Sequence, residues 1–306
     1  MSAAHASSTP NDRRPLVPAP GSPGRSWLRR LGLLLGAVLL VAAIIFVARQ
    51  HDVLARAFSA IRQPSAPHLF LLFACVIGNV VLTAGMFSVL MSRYGNVRLV
   101  EMQALIGAAT LLNFLPLRPG LFGRIAYHKT INDIPPVDTA KTIGQAIALS
   151  LGVAGCLALC LVLAAQFHLT LWIALSLPFA LLAFSTLVGS IRIWALAGLI
   201  RYVDVFVWAA RYYAAFALID YAISMEAALA FACISMIATL VPFFSNGLGL
   251  REWAIGLAAP LLIDYQLEIG ITAELVNRAG ELIVVLIAGL AGIAYLTHLR
   301  RQSRAD

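Results

Sequence analysis

The chain has 306 residues, 61% of them hydrophobic and only 12% charged. Soluble domains carry about 25% charged residues, so most of this chain cannot face water. The net charge of +8 does not point to nucleic acid, because the basic residues sit in termini and short loops, where they bias membrane orientation, rather than on one soluble module.

Residues 1–26 are rich in Ser, Pro, Ala and Arg and lack apolar periodicity. They read as a disordered, basic, cytoplasmic tail. Arg25, Arg29 and Arg30 then precede the charge-free run Leu31–Ala48. The n- and h-regions of a signal peptide look similar. The run is 18 residues long and no clean A-x-A-like site follows it, so it reads as an uncleaved first span.

A transmembrane helix needs roughly 20 apolar residues. No Asp, Glu, Lys or Arg occurs between Arg62 and Arg93, between Lys141 and Arg192, or between Glu226 and Arg251. The expected spans are 31–48, 68–91, 102–117, 142–165, 169–189, 205–224, 227–244 and 270–297, with a half-helix at 252–264. Arg300, Arg301 and Arg304 follow the last span and put the C-terminus on the cytoplasmic side with the N-terminus. Both ends inside require an even number of full crossings. The expected fold is therefore an all-α polytopic membrane protein with about 8 helical membrane segments. Residues 27–300 form its transmembrane domain and 301–306 a short basic tail.

Segments 102–117 and 227–244 are shorter than the rest. They end at Pro116 and Pro242, each followed by small residues and an arginine. The first reads Asn113-Phe-Leu-Pro116, then Gly120 and Arg124; the second reads Pro242, then Asn246-Gly247-Leu-Gly249-Leu-Arg251-Glu252. Broken backbone at membrane depth is tolerated only inside protein or along a cavity. Paired Gly/Pro-interrupted segments in two halves of a chain point to a transporter binding site. Two ordinary loops would give the same pattern. The expectation is two pseudo-repeated halves, each with a broken or re-entrant segment.

In the last long helix, Glu274, Arg278 and Glu281 stand at i, i+4 and i+7, on one helix face. Glu before Arg at this spacing favours a pair within the helix. Each ionisable residue at membrane depth costs at least about 2.5 kcal/mol, so such a stripe must face a cavity, water or other charges. Arg251 and Glu252 open the next helical piece after the glycine turn, where free N–H groups attract anions. Arg124, with Arg118 close by, has the corresponding place in the first half. Together these arginines would line a cavity able to meet a phosphate. Arg211 and Asp220 interrupt an apolar stretch, and Asn79 and Asn113 read as hydrogen-bonding glue between helices.

Catalytic and metal patterns are missing: there is no G-x-S-x-G, H-E-x-x-H or P-loop. Cys75, Cys156, Cys160 and Cys233 lie in apolar runs and lack further ligands nearby. No catalytic residue, cofactor or metal is expected.

The stretch Pro242–Glu252, followed by Asn277-Arg278, resembles the signature of the flippase-like family. This is the transmembrane region of lysylphosphatidylglycerol synthases and its stand-alone relatives. Asn113, Pro116, Gly120 and Arg124 resemble the family's first-half motif, without the acidic residue the family places before that arginine. The resemblance covers roughly residues 30–300. No soluble aminoacyl-transferase domain fits beside it, so it implies lipid translocation or handling in a bacterial inner membrane. It also implies substrate contacts at Arg251, Glu252, Arg278, Glu281, Glu274, Arg124, Asn113, Pro116, Pro242, Gly247 and Gly249. The implied partners are membrane lipids. The alternatives are a polytopic enzyme using a lipid-linked donor, such as a glycosyltransferase, or a non-transporting partner of a lipid-synthesis enzyme.

Overall fold

A computed structural model describes Val41 and residues 65–115, 118–241 and 245–302. The first expected span, Pro116, Pro242 and both tail ends lie outside these residues, apart from Val41. Among the described residues every regular element is helical. The helices are α1 (Ala66–Met91), α2 (Leu99–Leu112), α3 (Pro119–Ile131), α4 (Pro136–Gln166), α5 (Leu171–Ser185), α6 (Arg192–Ala217), α7 (Met225–Leu240), α8 (Leu250–Ile263) and α9 (Leu267–Gln302). A 3₁₀ turn at Ser245–Gly247 precedes α8.

Helices α1, α4, α6 and α9 are long and apolar enough to cross a membrane, and α2, α5 and α7 are shorter apolar helices. Large apolar side chains face outward, among them Phe70, Val162, Ile287 and Leu290. Charged side chains, among them Asp204, Arg211, Arg251 and Glu274, are buried inside. This inversion of the soluble pattern is what a hydrocarbon solvent selects, since burying a charge among partners costs less than showing it to lipid.

Helices α1 and α6 form an antiparallel pair. Near one end Arg93 lies 4.7 Å over the Trp194 ring, and near the other the His68 and Tyr213 rings are 6.2 Å apart. The sequence placed the α6 span at 205–224, whereas the helix starts at Arg192 and ends at Ala217. The discrepancy arises at Arg201 and Asp204, which pair with each other. Asp204 also accepts from Asn79 Nδ2 at 2.7 Å. Neutralised in this way, the two charges belong inside the helix.

Two pairs of short helices fold back on themselves. Asn132, just after α3, donates to Glu101 in the first turn of α2 at 2.9 Å. Tyr265, just after α8, donates to the carbonyl of Ala222, just before α7, at 3.0 Å. The two ends of each pair therefore lie side by side. The tips meet as well: Arg118 Nη2 donates to the carbonyls of Thr239 at 3.1 Å and Val241 at 2.9 Å. Arg118 thus serves the carbonyl end of α7 instead of joining a basic cavity lining. At 1.5 Å per residue, α2, α7 and α8 are only about 21–24 Å long, short of a hydrocarbon core of about 30 Å. Helix α3 lies outside every span expected from the sequence.

Helix α9 binds both pairs through small residues. A Cβ at Gly270 would sit 2.7 Å from the Ile255 carbonyl oxygen, and one at Gly292 would sit 2.4 Å from that of Ala104. Small residues let membrane helices approach this closely.

Candidate functional site

The face of α9 predicted from spacing turns inward. Glu274 and Asn277 are fully buried, with Arg278 and Glu281 nearly so. Arg251 and Glu252, in the first turn of α8, meet this face and are also fully buried. Arg211 reaches it from α6.

The expected pair within α9 does not form. Arg278 Nε lies 2.8 Å from Glu252 Oε1 on α8. Glu274 Oε1 instead lies 2.7 Å from Arg251 Nη2. Glu281 Oε2 receives two arginines, Arg251 Nη1 and Arg211 Nη2, both at 3.0 Å. Three arginines and three glutamates thus form a network of zero formal charge that ties α6, α8 and α9 together. The reason is burial: with water excluded, each carboxylate needs a guanidinium at contact distance, and those within reach come from neighbouring helices.

Neutral groups complete the network. Arg211 Nε donates to Asn277 Oδ1 and Arg211 Nη1 to Asn79 Oδ1, both at 3.0 Å. Glu274 Oε2 accepts from the Tyr212 hydroxyl at 2.6 Å and from Asn277 Nδ2 at 3.0 Å. The Trp208 ring lies under two arginines, 4.2 Å from the Arg211 guanidinium carbon and 5.0 Å from that of Arg251.

The turn before α8 supplies the last contacts. Asn246, at φ 49°, donates from Nδ2 to Glu281 Oε1 at 3.1 Å. Its carbonyl accepts from both terminal nitrogens of Arg278 at 3.3 Å. Gly247 has φ +70°, and a Cβ there would sit 2.9 Å from the Arg251 side chain. A side chain at this position is strained by the backbone and meets the arginine packed against it. Gly249 caps α8 at φ 78°.

A cavity of about 190 Å³ opens beside the network, lined by Asn79, Thr110, Arg201, Trp208, Arg211, Asn246 and Glu281 among others. Arg251, Arg278, Glu252 and Glu274 do not line it. They stand behind Arg211 and Glu281, as the support that holds those two in place. The lining arginines are therefore Arg201, paired with Asp204, and Arg211. The sequence marked Arg211 as an interruption of an apolar stretch, with Glu281 or Arg278 as a partner across the bundle. Asn79, Tyr212 and Asp204 also belong to this polar interior. Their signal was their position in helices otherwise apolar, where a polar group needs a partner.

The first-half residues do not join the network. Asn113 ends α2 as its C-cap. Arg124 is buried on α3, over the Phe87 ring at 3.9 Å, and lines a different cavity. Among the described residues no group of three His, Cys, Asp or Glu side chains is placed to hold a metal ion. Compared with models of known families and with curated proteins, the sequence matches none.

Proposed function

We propose that this protein is a lipid translocase of the bacterial cytoplasmic membrane, in keeping with its resemblance to the flippase-like family. The observation that carries the reading is Arg211 and Glu281 facing a cavity from a neutral, fully buried ion-pair network. A cavity of about 190 Å³ is smaller than the roughly 300–1,000 Å³ of a small-molecule pocket. It suits a headgroup whose acyl chains stay in lipid. A phosphate entering there competes with Glu281 for the Arg211 guanidinium, and Asn79, Asn246 and Thr110 offer further polar contacts. Because Arg211 already has a carboxylate, the headgroup gains by exchange and not by filling an empty charge. Exchange keeps binding weak enough for release on the other side.

In this reading α2–α3 and α7–α8 are the re-entrant parts of two pseudo-repeated halves, entering from opposite faces and meeting at Arg118. Helices α1, α4, α6 and α9 cross fully. Helix α5 is as short as α7, but α4 begins by Met91 and α6 begins beside Arg93, so α5 with its flanking turns returns the chain across. The expected span at 31–48 makes six crossings. Arg93, Arg98, Lys129, Lys141, Arg192 and Arg300 then fall on one side, with Asp220, Glu226, Asp264 and Glu268 on the other. The basic side is cytoplasmic by the positive-inside rule, and both termini lie there.

The test is headgroup-resolved lipid movement in proteoliposomes. Wild-type protein moves a phospholipid and Arg211→Gln does not. If the wild type moves none of a broad lipid panel, with or without a proton gradient, the translocase reading fails.

A further inference from the structure

Four arginines among the described residues are at least nine-tenths buried: Arg124, Arg211, Arg251 and Arg278. Three of them hold glutamates in the central network. Arg124 does not. It is 7% exposed and its guanidinium carbon lies 3.9 Å over the Phe87 ring. Among the described residues it has no carboxylate within ion-pair distance and no hydrogen-bond acceptor. The nearby acid, Glu101, is engaged by Asn132 at 2.9 Å. A cation face on an aromatic ring is a partial solution only, since the ring leaves the N–H donors unsatisfied.

Arg124 lines a cavity of about 220 Å³ between α2, α3 and α9. The walls are apolar, with Leu105 and Leu112 from α2 and Ile293 and Leu296 from α9; Arg300 stands at the rim. Gly123 leaves the α3 side open, because nothing lies within 4 Å of where its Cβ would be. Arg300 is exposed and belongs to the basic last turn of α9, so the cavity lies where the apolar helix gives way to its charged end. No residue lining this cavity also lines the central one.

An unpaired buried guanidinium beside apolar walls, at the level of a helix end, calls for an anion with a greasy attachment. We propose that the Arg124 cavity binds the phosphate of an anionic amphiphile, with Arg300 as a second cation at its rim. The planar fork of Arg124 takes two phosphate oxygens, and the apolar walls take the first carbons of the chain. The site stands whether or not the protein moves lipids, since it asks only for binding.

The experiment uses the full chain in a non-ionic detergent. Binding is measured by calorimetric titration with a short-chain phosphatidic acid, with the diacylglycerol of the same chains, and with inorganic phosphate. Wild-type protein binds the phosphatidic acid and not the diacylglycerol. Arg124→Gln weakens this binding by about tenfold or more, the loss expected for a charge-assisted contact. Arg300→Gln weakens it less. Gly123→Leu leaves Arg124 in place and fills the cavity, and it also abolishes binding; a leucine in a helix replaces a poor helix former, so this variant folds. Inorganic phosphate separates the two sources of the anion. Binding as tight as that of the phosphatidic acid assigns the site to free phosphate, and much weaker binding assigns it to a lipid headgroup. Wild-type affinity in either Arg124→Gln or Gly123→Leu overturns the proposal. So does a loss confined to Arg211→Gln, which would put the anion in the central cavity.

Discussion

Arg278 Nε lies 2.8 Å from Glu252 Oε1, across the interface between α8 and α9, although Glu274 stands one turn before it in its own helix. Breaking a buried pair by removing one member costs about 3–5 kcal/mol, because the other charge is stranded. Arg278→Gln and Glu252→Gln should each lower the thermal midpoint in detergent markedly. The double variant should recover a good part of that loss. A double variant as unstable as the sum of the singles would show that the two side chains do not act as a pair.

Arg211 donates in three directions, from Nε to Asn277, from Nη1 to Asn79 and from Nη2 to Glu281. A lysine ammonium cannot span these partners from one position. Arg211→Lys should therefore lose lipid movement nearly as fully as Arg211→Gln while keeping the charge. Movement within twofold of wild type in the lysine variant would mean that charge alone matters there, and the proteoliposome assay reads this directly.

Gly247 and Gly144 should respond in opposite ways to alanine. At Gly247 the backbone has φ +70° and the new Cβ meets the Arg251 side chain at 2.9 Å, so Gly247→Ala should destabilise by about 1–3 kcal/mol. At Gly144, inside α4, nothing lies within 4 Å of the added Cβ. Gly144→Ala should stabilise by up to about 1 kcal/mol through helix propensity. Thermal unfolding of the two variants in the same detergent checks both signs.

Single cysteines in a cysteine-free background test the proposed topology. Arg98→Cys and Lys129→Cys flank the α2–α3 pair at exposed positions and should react with a membrane-impermeant maleimide from the same side. Glu226→Cys and Asp264→Cys flank α7–α8 and should react together from the opposite side. Labelling of Arg98→Cys and Lys129→Cys from opposite sides would make α2–α3 a full crossing and remove the re-entrant reading.

Some of this was legible in the sequence because it is local. Composition settled that the chain is built of apolar helices. A charge-free run placed α1, expected at 68–91 and found at Ala66–Met91. The glycine turn placed α8, expected at 252–264 and found at Leu250–Ile263. The spacing of Glu274, Arg278 and Glu281 put them on one face, because helix period is a property of neighbours along the chain. Tertiary structure alone decided what that face meets. The partners of Arg211 lie 66, 70 and 132 residues away in sequence, and no pattern along one helix encodes which distant charge will share its burial. The same reason separates Arg124 from its apparent counterpart Arg251. Both follow a proline and a glycine-rich stretch, but only Arg251 packs against α9 where two glutamates face it, while Arg124 packs over Phe87 and lines a separate cavity.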